Sequence, residues 1–387
     1  TAFVPALSRF EEPLDLNLVF SGHGKHLDCP TLRLTNHHGL MIAGEAALSN
    51  WDAGMDMYIY GKLGNLTMTK EGINVLMTNL TGKVPPILQR LDYIRFNGEA
   101  AGYLHDLTLT GLFHTGAGMV KTDVMMSIDE QSMSRTYSGS VASADLDLGK
   151  LLNQEKKFGK VDFNVELKGF NYKNRYPESY IKGIISSFEY SQYQYENIML
   201  DGVYKDGGFN GRLSMDDANG SVQIDGNFNV AKTIPDFNLK ASVKNLRPHD
   251  LHLSDKYENA SISLGLTADF TGKSIDDMNG RISLDSLQLN APDEGGCFLD
   301  NLTITAGQVS GEKELRINSS FMTAVIRGDY SYHTIPASVV KTVQRYIPSL
   351  LTIKDNMPEP HNNFQFDICL ENTEVLSKLF QIPLELY

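Results

Sequence analysis

The most constraining feature of the sequence is an alternation of apolar and polar residues with a period of two. It is clearest in the runs 161–167, 222–228, 237–243 and 262–270. Because successive side chains of a β-strand point to opposite faces, each run predicts a strand with one apolar and one polar face. Parallel sheets covered by helices would instead carry continuous apolar runs. The alternation therefore predicts antiparallel strands with one face in water.

Glycine recurs inside these runs, in addition to the Asn-, Asp- and Gly-rich turns that separate them. The glycines in extended runs are Gly98, Gly111, Gly139, Gly202, Gly211, Gly226, Gly280 and Gly328. A glycine within a strand commonly marks a bulge, a bend or a close backbone approach. Their recurrence predicts a sheet that bends at similar heights in strand after strand. We therefore expect an all-β fold, an elongated antiparallel sheet that is curved or folded over into a β-taco-like groove.

Helical periodicity is rare, and it sets the expected domain organisation. A short helical turn is predicted over 148–157, and two amphipathic helices near the C-terminus over 337–351 and 373–380. We expect a β-rich section at 1–129, a repeated β-groove section at 130–332 and a helix-strand-helix cap at 333–387. The sequence leaves open whether the first two sections form one continuous body.

Composition and charge exclude several classes of function. Lys and Arg total 34 against 47 Asp and Glu, a net charge of −13, and no dense basic cluster offsets it. Nucleic acid is therefore not an expected partner. The three cysteines lie far apart without a CxxC spacing, which is neither a disulfide framework nor a zinc site. No apolar run approaches the roughly 20 residues of a membrane helix, so we expect any membrane anchor outside this sequence.

Candidate catalytic and metal-binding residues each have a simpler structural explanation. Four histidines lie between residues 23 and 38, without a companion Cys, Asp or Glu motif. The acid pairs at 216–217 and 276–277 occur at predicted turns, where Asp is favoured. The aromatic stretch 188–195 resembles a sugar-stacking platform, but its residues are also good strand formers. We therefore predict a protein that is not an enzyme and has no metal ion or cofactor.

A family resemblance adds to these observations. The segment 137–152 reads YSGSVASADLDLGKLL, and it is followed by similar phrases at 158–169, 185–202, 209–217 and 237–253. These segments resemble the TamB family of the AsmA-like superfamily, in particular its Bacteroidetes members, most clearly over residues 130–330. The resemblance implies an internal fragment of a periplasmic protein that is anchored to the inner membrane outside this chain. It also implies phospholipid transport to the outer membrane, or assembly of outer-membrane proteins with a β-barrel partner. It carries over no catalytic residue.

The candidate site is formed by the apolar faces of the strands. The same alternation is needed for a groove that holds the acyl chains of phospholipids and for a closed core, so the sequence leaves both open. The candidate groove residues are Phe163, Val165, Leu167, Val222, Ile224, Phe228, Phe237, Leu239, Val243, Ile262, Leu264, Leu266, Phe270, Ile282 and Leu284. The alternative class is a surface adhesin or glycan-binding β-sandwich module, whose cores would be closed. A β-helix enzyme acting on polysaccharide is disfavoured, because its coils need more regular repeats.

Overall fold

The computed structural model describes residues 13–129, 131–132, 134–171, 178–229, 231–255, 258–291, 296–332, 334–335, 338, 341–342, 345 and 362–371. Contacts divide the chain into two compact units, residues 1–206 and 207–387. The sequence-based boundaries after residues 129 and 332 lie within these units and stay predictions.

The first unit contains twelve of the described strands. They are β1 (Asp15–His23), β2 (His26–Thr35), β3 (Leu40–Ser49), β4 (Tyr58–Thr69), β5 (Tyr93–Tyr103), β6 (Asp106–Thr115), β7 (Gly118–Ile128), β8 (Arg135–Ala144), β9 (Leu146–Asp147), β10 (Phe158–Asn171), β11 (Glu178–Tyr190) and β12 (Tyr193–Lys205). From β1 to β8 each strand pairs antiparallel with the next. Strand β10 then pairs with both β8 and β9, and β11 and β12 follow in order.

The second unit repeats this antiparallel order. Its described strands are β13 (Gly208–Asp217), β14 (Gly220–Asn229), β15 (Asp236–Leu246), β16 (Ser261–Thr271), β17 (Asn279–Asn290), β18 (Cys297–Leu299), β19 (Leu302–Val309), β20 (Glu312–Ser319), β21 (Met322–Asp329) and β22 (Asn363–Leu370). From β13 to β18 each strand pairs antiparallel with the next, β17 also pairs with β19, and β19 to β22 pair in order. The predicted all-β, antiparallel class is confirmed.

The glycines predicted to interrupt strands all lie within strands. Two pairs of them are direct cross-strand partners: Gly98 faces Gly111, and Gly211 faces Gly226. Several strand pairs also shift register, as at β10 and β11 and at β16 and β17. Such irregularities bend a strand and raise its twist, but these two shifts do not lie at the predicted glycines, so a sheet that bends at similar heights stays a prediction.

The first unit has helices that the sequence interpretation missed. The described residues contain α1 (Lys70–Thr81), α2 (Pro86–Gln89) and α3 (Leu148–Leu152). The Thr69 hydroxyl caps α1 by accepting a hydrogen bond from the Gly72 N–H at 3.2 Å, and Gly82 ends the helix with φ 76°. Helix α3 corresponds to the predicted turn over 148–157 but ends earlier, because Asn153 adopts the left-handed conformation.

These helices cover the apolar face of the first unit at one end. Ile73 of α1 is 1% exposed, and it belongs to a buried cluster completed by Leu91, Ile94, Ala117, Leu146 and Val161. Half-buried side chains of α2 and α3 pack against this cluster. The first unit therefore has a fully covered core at this end of its strands.

The C-terminal prediction is described only in part. Strand β22 confirms the strand predicted before residue 371, and it pairs along the whole of β21. The helices predicted over 337–351 and 373–380 lie outside the described residues, apart from residues 338, 341, 342 and 345.

Candidate apolar binding face

Most of the predicted groove residues come together in the second unit, on one face of β14–β17. Cross-strand pairing arranges this face in four rows, each with one residue from every strand. The rows are Val222–Val243–Leu264–Leu287, Ile224–Ala241–Leu266–Leu284, Gly226–Leu239–Ala268–Ile282 and Phe228–Phe237–Phe270–Gly280. We call these sixteen residues the β14–β17 grid. Ile262 continues the face beyond the first row, opposite Leu246 and Leu289.

Every position of the grid is apolar. At a strand spacing of about 4.8 Å and a rise of about 3.4 Å per residue, the grid is roughly 14 Å wide and 20 Å long. The last row holds three phenylalanines: Phe237 and Phe270 stack with ring centroids 4.8 Å apart, and Phe228 packs on Phe209 of β13 at 5.8 Å. The grid is therefore one unbroken apolar surface with an aromatic border.

The list of predicted groove residues lacks five grid positions. Four of them are the small residues Gly226, Ala241, Ala268 and Gly280, which add little apolar bulk to a pattern. The fifth, Leu287, is out of phase with Leu284 because one extra residue in β17 shifts the register against β16. Because of this bulge, Leu287 falls outside the two-residue period of the sequence but still lies on the apolar face of the folded sheet.

The predicted residues of this face are only partly covered. All of them are half-buried except Phe228, which is 41% exposed. Elsewhere in the same unit Leu251 and Leu299 are 0% and 1% exposed, so this fold does bury leucines completely where it forms a dry core. Large apolar side chains between two packed sheets would be covered in the same way. The grid has the exposure of a surface that is partly open to solvent.

The opposite face of the same strands carries the charges. Asp225 of β14 accepts hydrogen bonds from Gln223 Nε2 at 2.7 Å and from Arg212 Nε at 2.6 Å. Both bonds hold the pKa of the Asp225 carboxyl below its ordinary value, and the bond from Gln223 has the larger effect. Ionic groups and apolar groups are thus separated on the two faces of the sheet.

The three predicted residues of the first unit lie on the apolar face of β10. Val165 pairs with Val141 of β8, and Leu167 pairs with Ile181 of β11. Phe163 pairs with Ile185 and packs against the buried cluster under α1. Val165 and Leu167 therefore belong to the half-buried part of the face, whereas Phe163 borders the covered core.

Two of the four candidate histidines have polar partners in the structure. His26 contacts Ser49 Oγ at 2.7 Å and Asp28 Oδ2 at 3.0 Å, and His38 Nδ1 lies 2.8 Å from Glu71 Oε1. Within the described ranges no three His, Cys, Asp or Glu side chains converge as metal ligands.

The second acid pair and the aromatic stretch are also accounted for by packing. Asp276 accepts hydrogen bonds from Ser331 Oγ at 2.9 Å and from the Tyr332 N–H at 2.6 Å, which ties its turn to the end of β21. Tyr195, in the aromatic stretch, is 8% exposed and packs edge to face on Tyr193 with ring centroids 4.8 Å apart. Both groups are engaged in holding the fold.

Comparison with known proteins leaves the family open. No protein-family model, curated protein or solved structure matches the chain. No helix in the described part of the chain has the length and apolarity needed to span a bilayer. The TamB-like resemblance stays a prediction.

Proposed function

We propose that this protein is a non-enzymatic lipid carrier that holds acyl chains against the apolar face of its sheets. The observation that carries the proposal is the β14–β17 grid, whose sixteen positions are all apolar and whose large side chains are only half-buried. A hydrocarbon chain is the ligand class that such a surface favours, because it gains from contact with apolar groups and needs no hydrogen bond.

The dimensions and energetics of the grid agree with this ligand. One leaflet of a bilayer is about 15 Å of hydrocarbon, half of a roughly 30 Å core, and the grid is about 20 Å long. Each methylene removed from water contributes about 0.8 kcal/mol, so five buried methylenes would contribute about 4 kcal/mol before ordering costs. A partly inserted acyl chain is sufficient for reversible binding.

The wider role follows from the TamB-like resemblance, and it is part of the proposal. In that setting the chain is a periplasmic segment of a protein anchored to the inner membrane. It moves phospholipid towards the outer membrane or assists the assembly of outer-membrane proteins, with a β-barrel as its partner there. The closed β-sandwich of an adhesin is the competing class, and the half-buried grid disfavours it.

The experiment is capture of a phospholipid that carries a photoreactive acyl chain, measured together with the melting temperature. In the Phe228→Asp variant an unpaired carboxylate enters the apolar surface, so we expect capture to be lost while the melting temperature is nearly preserved. The matched control is Asn227→Asp, one residue along β14 on the polar face, which should capture lipid as the parent does.

A second pair of variants tests the centre of the grid. Leu264→Asp should lose capture, and Ser263→Asp, on the other face of β16, should retain it. The proposal is contradicted if the parent captures no lipid and the Phe228→Asp and Leu264→Asp variants unfold. That combination would identify the face as a closed core.

A further inference from the structure

A trough of about 910 Å³ lies on the polar face of the first unit, across β6, β7, β8, β10, β11 and β12. Cross-strand pairing builds its sides from two rows, Thr108–Met125–Ser138–Lys168–Tyr180 and Asp123–Ser140–Glu166–Lys182–Asp201. The volume is within the range of roughly 300–1,000 Å³ that is typical of ligand sites. The side chains of both rows lie on the face opposite the apolar one, and the trough shares no residue with the β14–β17 grid, although the groove candidate Leu167 also lines its floor.

The concavity has a cause in the backbone. The floor is the row Gly139–Leu167–Ile181–Gly202, which lies between the two side-chain rows. Gly139 has φ +143°, and a Cβ atom there would lie 2.7 Å from Val124 Cα. Only glycine permits this approach of β8 to β7. The flanking Ser138 and Ser140 are small, so β8 forms the low point between larger side chains.

Charges in the trough nearly balance. Asp123, Glu166 and Asp201 face Lys168 and Lys182, three negative charges against two positive. Lys182 Nζ lies 3.1 Å from Asp201 Oδ2. Together with the acidic chain, this balance gives no attraction to a polyanion and little to a polycation.

Polar groups in the trough remain available to a ligand. The Glu166 carboxylate and the Lys168 ammonium form neither a hydrogen bond nor an ion pair with any described residue, and the Tyr180 hydroxyl forms no hydrogen bond with them. A donor, an acceptor and a hydroxyl thus stand on neighbouring strands, within one or two residue positions of each other. A ligand rich in hydroxyl groups would pair with all three.

Exposed apolar surface lies beside these groups. The Tyr180 side chain is 53% exposed and Met125 is 43% exposed, both in the same row. An aromatic ring with one polar end favours ligands that combine an apolar face with hydrogen-bonding edges. A pyranose ring has that composition, with C–H groups on its faces and hydroxyls around its rim.

We propose that this trough binds a neutral, extended oligosaccharide that crosses the strands. Neighbouring strands are about 4.8 Å apart, close to the length of one sugar ring, so successive rings would meet successive strands. Tyr180 stacks against one ring, while Glu166 and Lys168 accept and donate hydrogen bonds to its hydroxyls. The six strands provide room for about five rings at this spacing.

The test is calorimetric titration of the full chain with cellopentaose and with chitopentaose. We expect at least one of them to bind the parent, and Tyr180→Ala to weaken that affinity about tenfold or more, since stacking and desolvation are lost. Tyr180→Phe keeps the ring and should retain most of the affinity. Glu166→Gln should weaken binding by a smaller factor. Tyr103→Ala is the matched control, because Tyr103 is 44% exposed and lies outside the trough.

Absence of binding by the parent at millimolar saccharide would overturn the proposal. Equal affinity in the parent and in folded Tyr180→Ala would also overturn it, because the ligand would then occupy another surface. Tighter binding of a sulfated pentasaccharide than of either neutral one would exclude the neutral class. The Phe228→Asp variant, impaired in lipid capture, should bind the saccharide like the parent, so the two proposals fail separately.

Discussion

Gly98 of β5 and Gly111 of β6 lie directly opposite each other, and the ring of Phe96 fills the space that a side chain at either position would need. A Cβ atom built on either glycine would lie 2.6 Å from Phe96 Cζ. The Phe96 ring is 7% exposed and packs on Phe113, with ring centroids 4.4 Å apart. The glycine pair thus allows an aromatic side chain to lie flat against the sheet.

The first prediction is that Gly111→Ala destabilises the protein. The new methyl group would collide with the Phe96 ring and with the Asn97 carbonyl, and overpacking of this kind costs about 1–3 kcal/mol. Gly61→Ala is the matched control, since Gly61 lies on the same face of β4 and a Cβ atom there would have no neighbouring atom within 4 Å. Urea denaturation should show the loss for Gly111→Ala alone, and equal midpoints for both variants would contradict it.

The second prediction concerns the helical end of the first unit. Ile73→Ala removes most of a side chain that is 1% exposed, and a cavity of this kind costs about 2–5 kcal/mol. Ile87→Ala on α2 is the control, because Ile87 is 50% exposed and its loss should change the free energy of unfolding by less than about 0.5 kcal/mol. Chemical denaturation of the full chain measures both, and similar effects would show that α1 does not hold this core.

The third prediction is a pH dependence at Glu314. Its carboxylate is 8% exposed, lies 2.6 Å from Arg327 Nε and 3.0 Å from Arg316 Nη2, and these bonds hold its pKa below the ordinary value of 4.5. A depressed pKa in the folded state contributes stability that is present above pH 4.5 and is lost as the pH falls through the folded value.

Glu314→Gln should therefore lower the midpoint of urea denaturation at neutral pH, and the difference from the parent should shrink as the pH falls below 4.5. Glu312→Gln is the control, because Glu312 is exposed on the same strand. A difference for Glu314→Gln that stays constant with pH would argue against the ionic origin of this effect.

The fourth prediction concerns the last strands of the second unit. Deletion of residues 334–387 removes β22 and leaves β21 as an unpaired edge. Ala324 and Ile326 of β21 are buried in the intact protein and would become exposed. Exposed apolar edges pair with other chains, so we expect aggregation or a lower melting temperature. Light scattering and thermal unfolding measure these effects. A shortened chain that stays monomeric and melts like the parent would show that β22 is dispensable.

The fold class was predictable because alternation is local. The period of two in 161–167 and 262–270 indicates which residues share the apolar face, and this inference needs only neighbouring residues in the sequence. Helix α1 was missed although residues 73, 76, 77 and 80 have helical spacing and Thr69 and Gly82 supply both caps. Its stability depends on the packing of Ile73 at the end of the sheet, and the sequence does not display that contact.

The sequence by itself determined the all-β class, the strands and the side on which nearly every candidate residue lies, since these depend on the local alternation of side chains. Only the tertiary structure decided which residues become neighbours, because register is set between strands distant in the chain. Val222, Val243 and Leu264 share one row only through pairing, and Leu287 joins it only through a bulge. The polar trough likewise arises from six strands and a glycine-lined floor, and cross-strand geometry creates it.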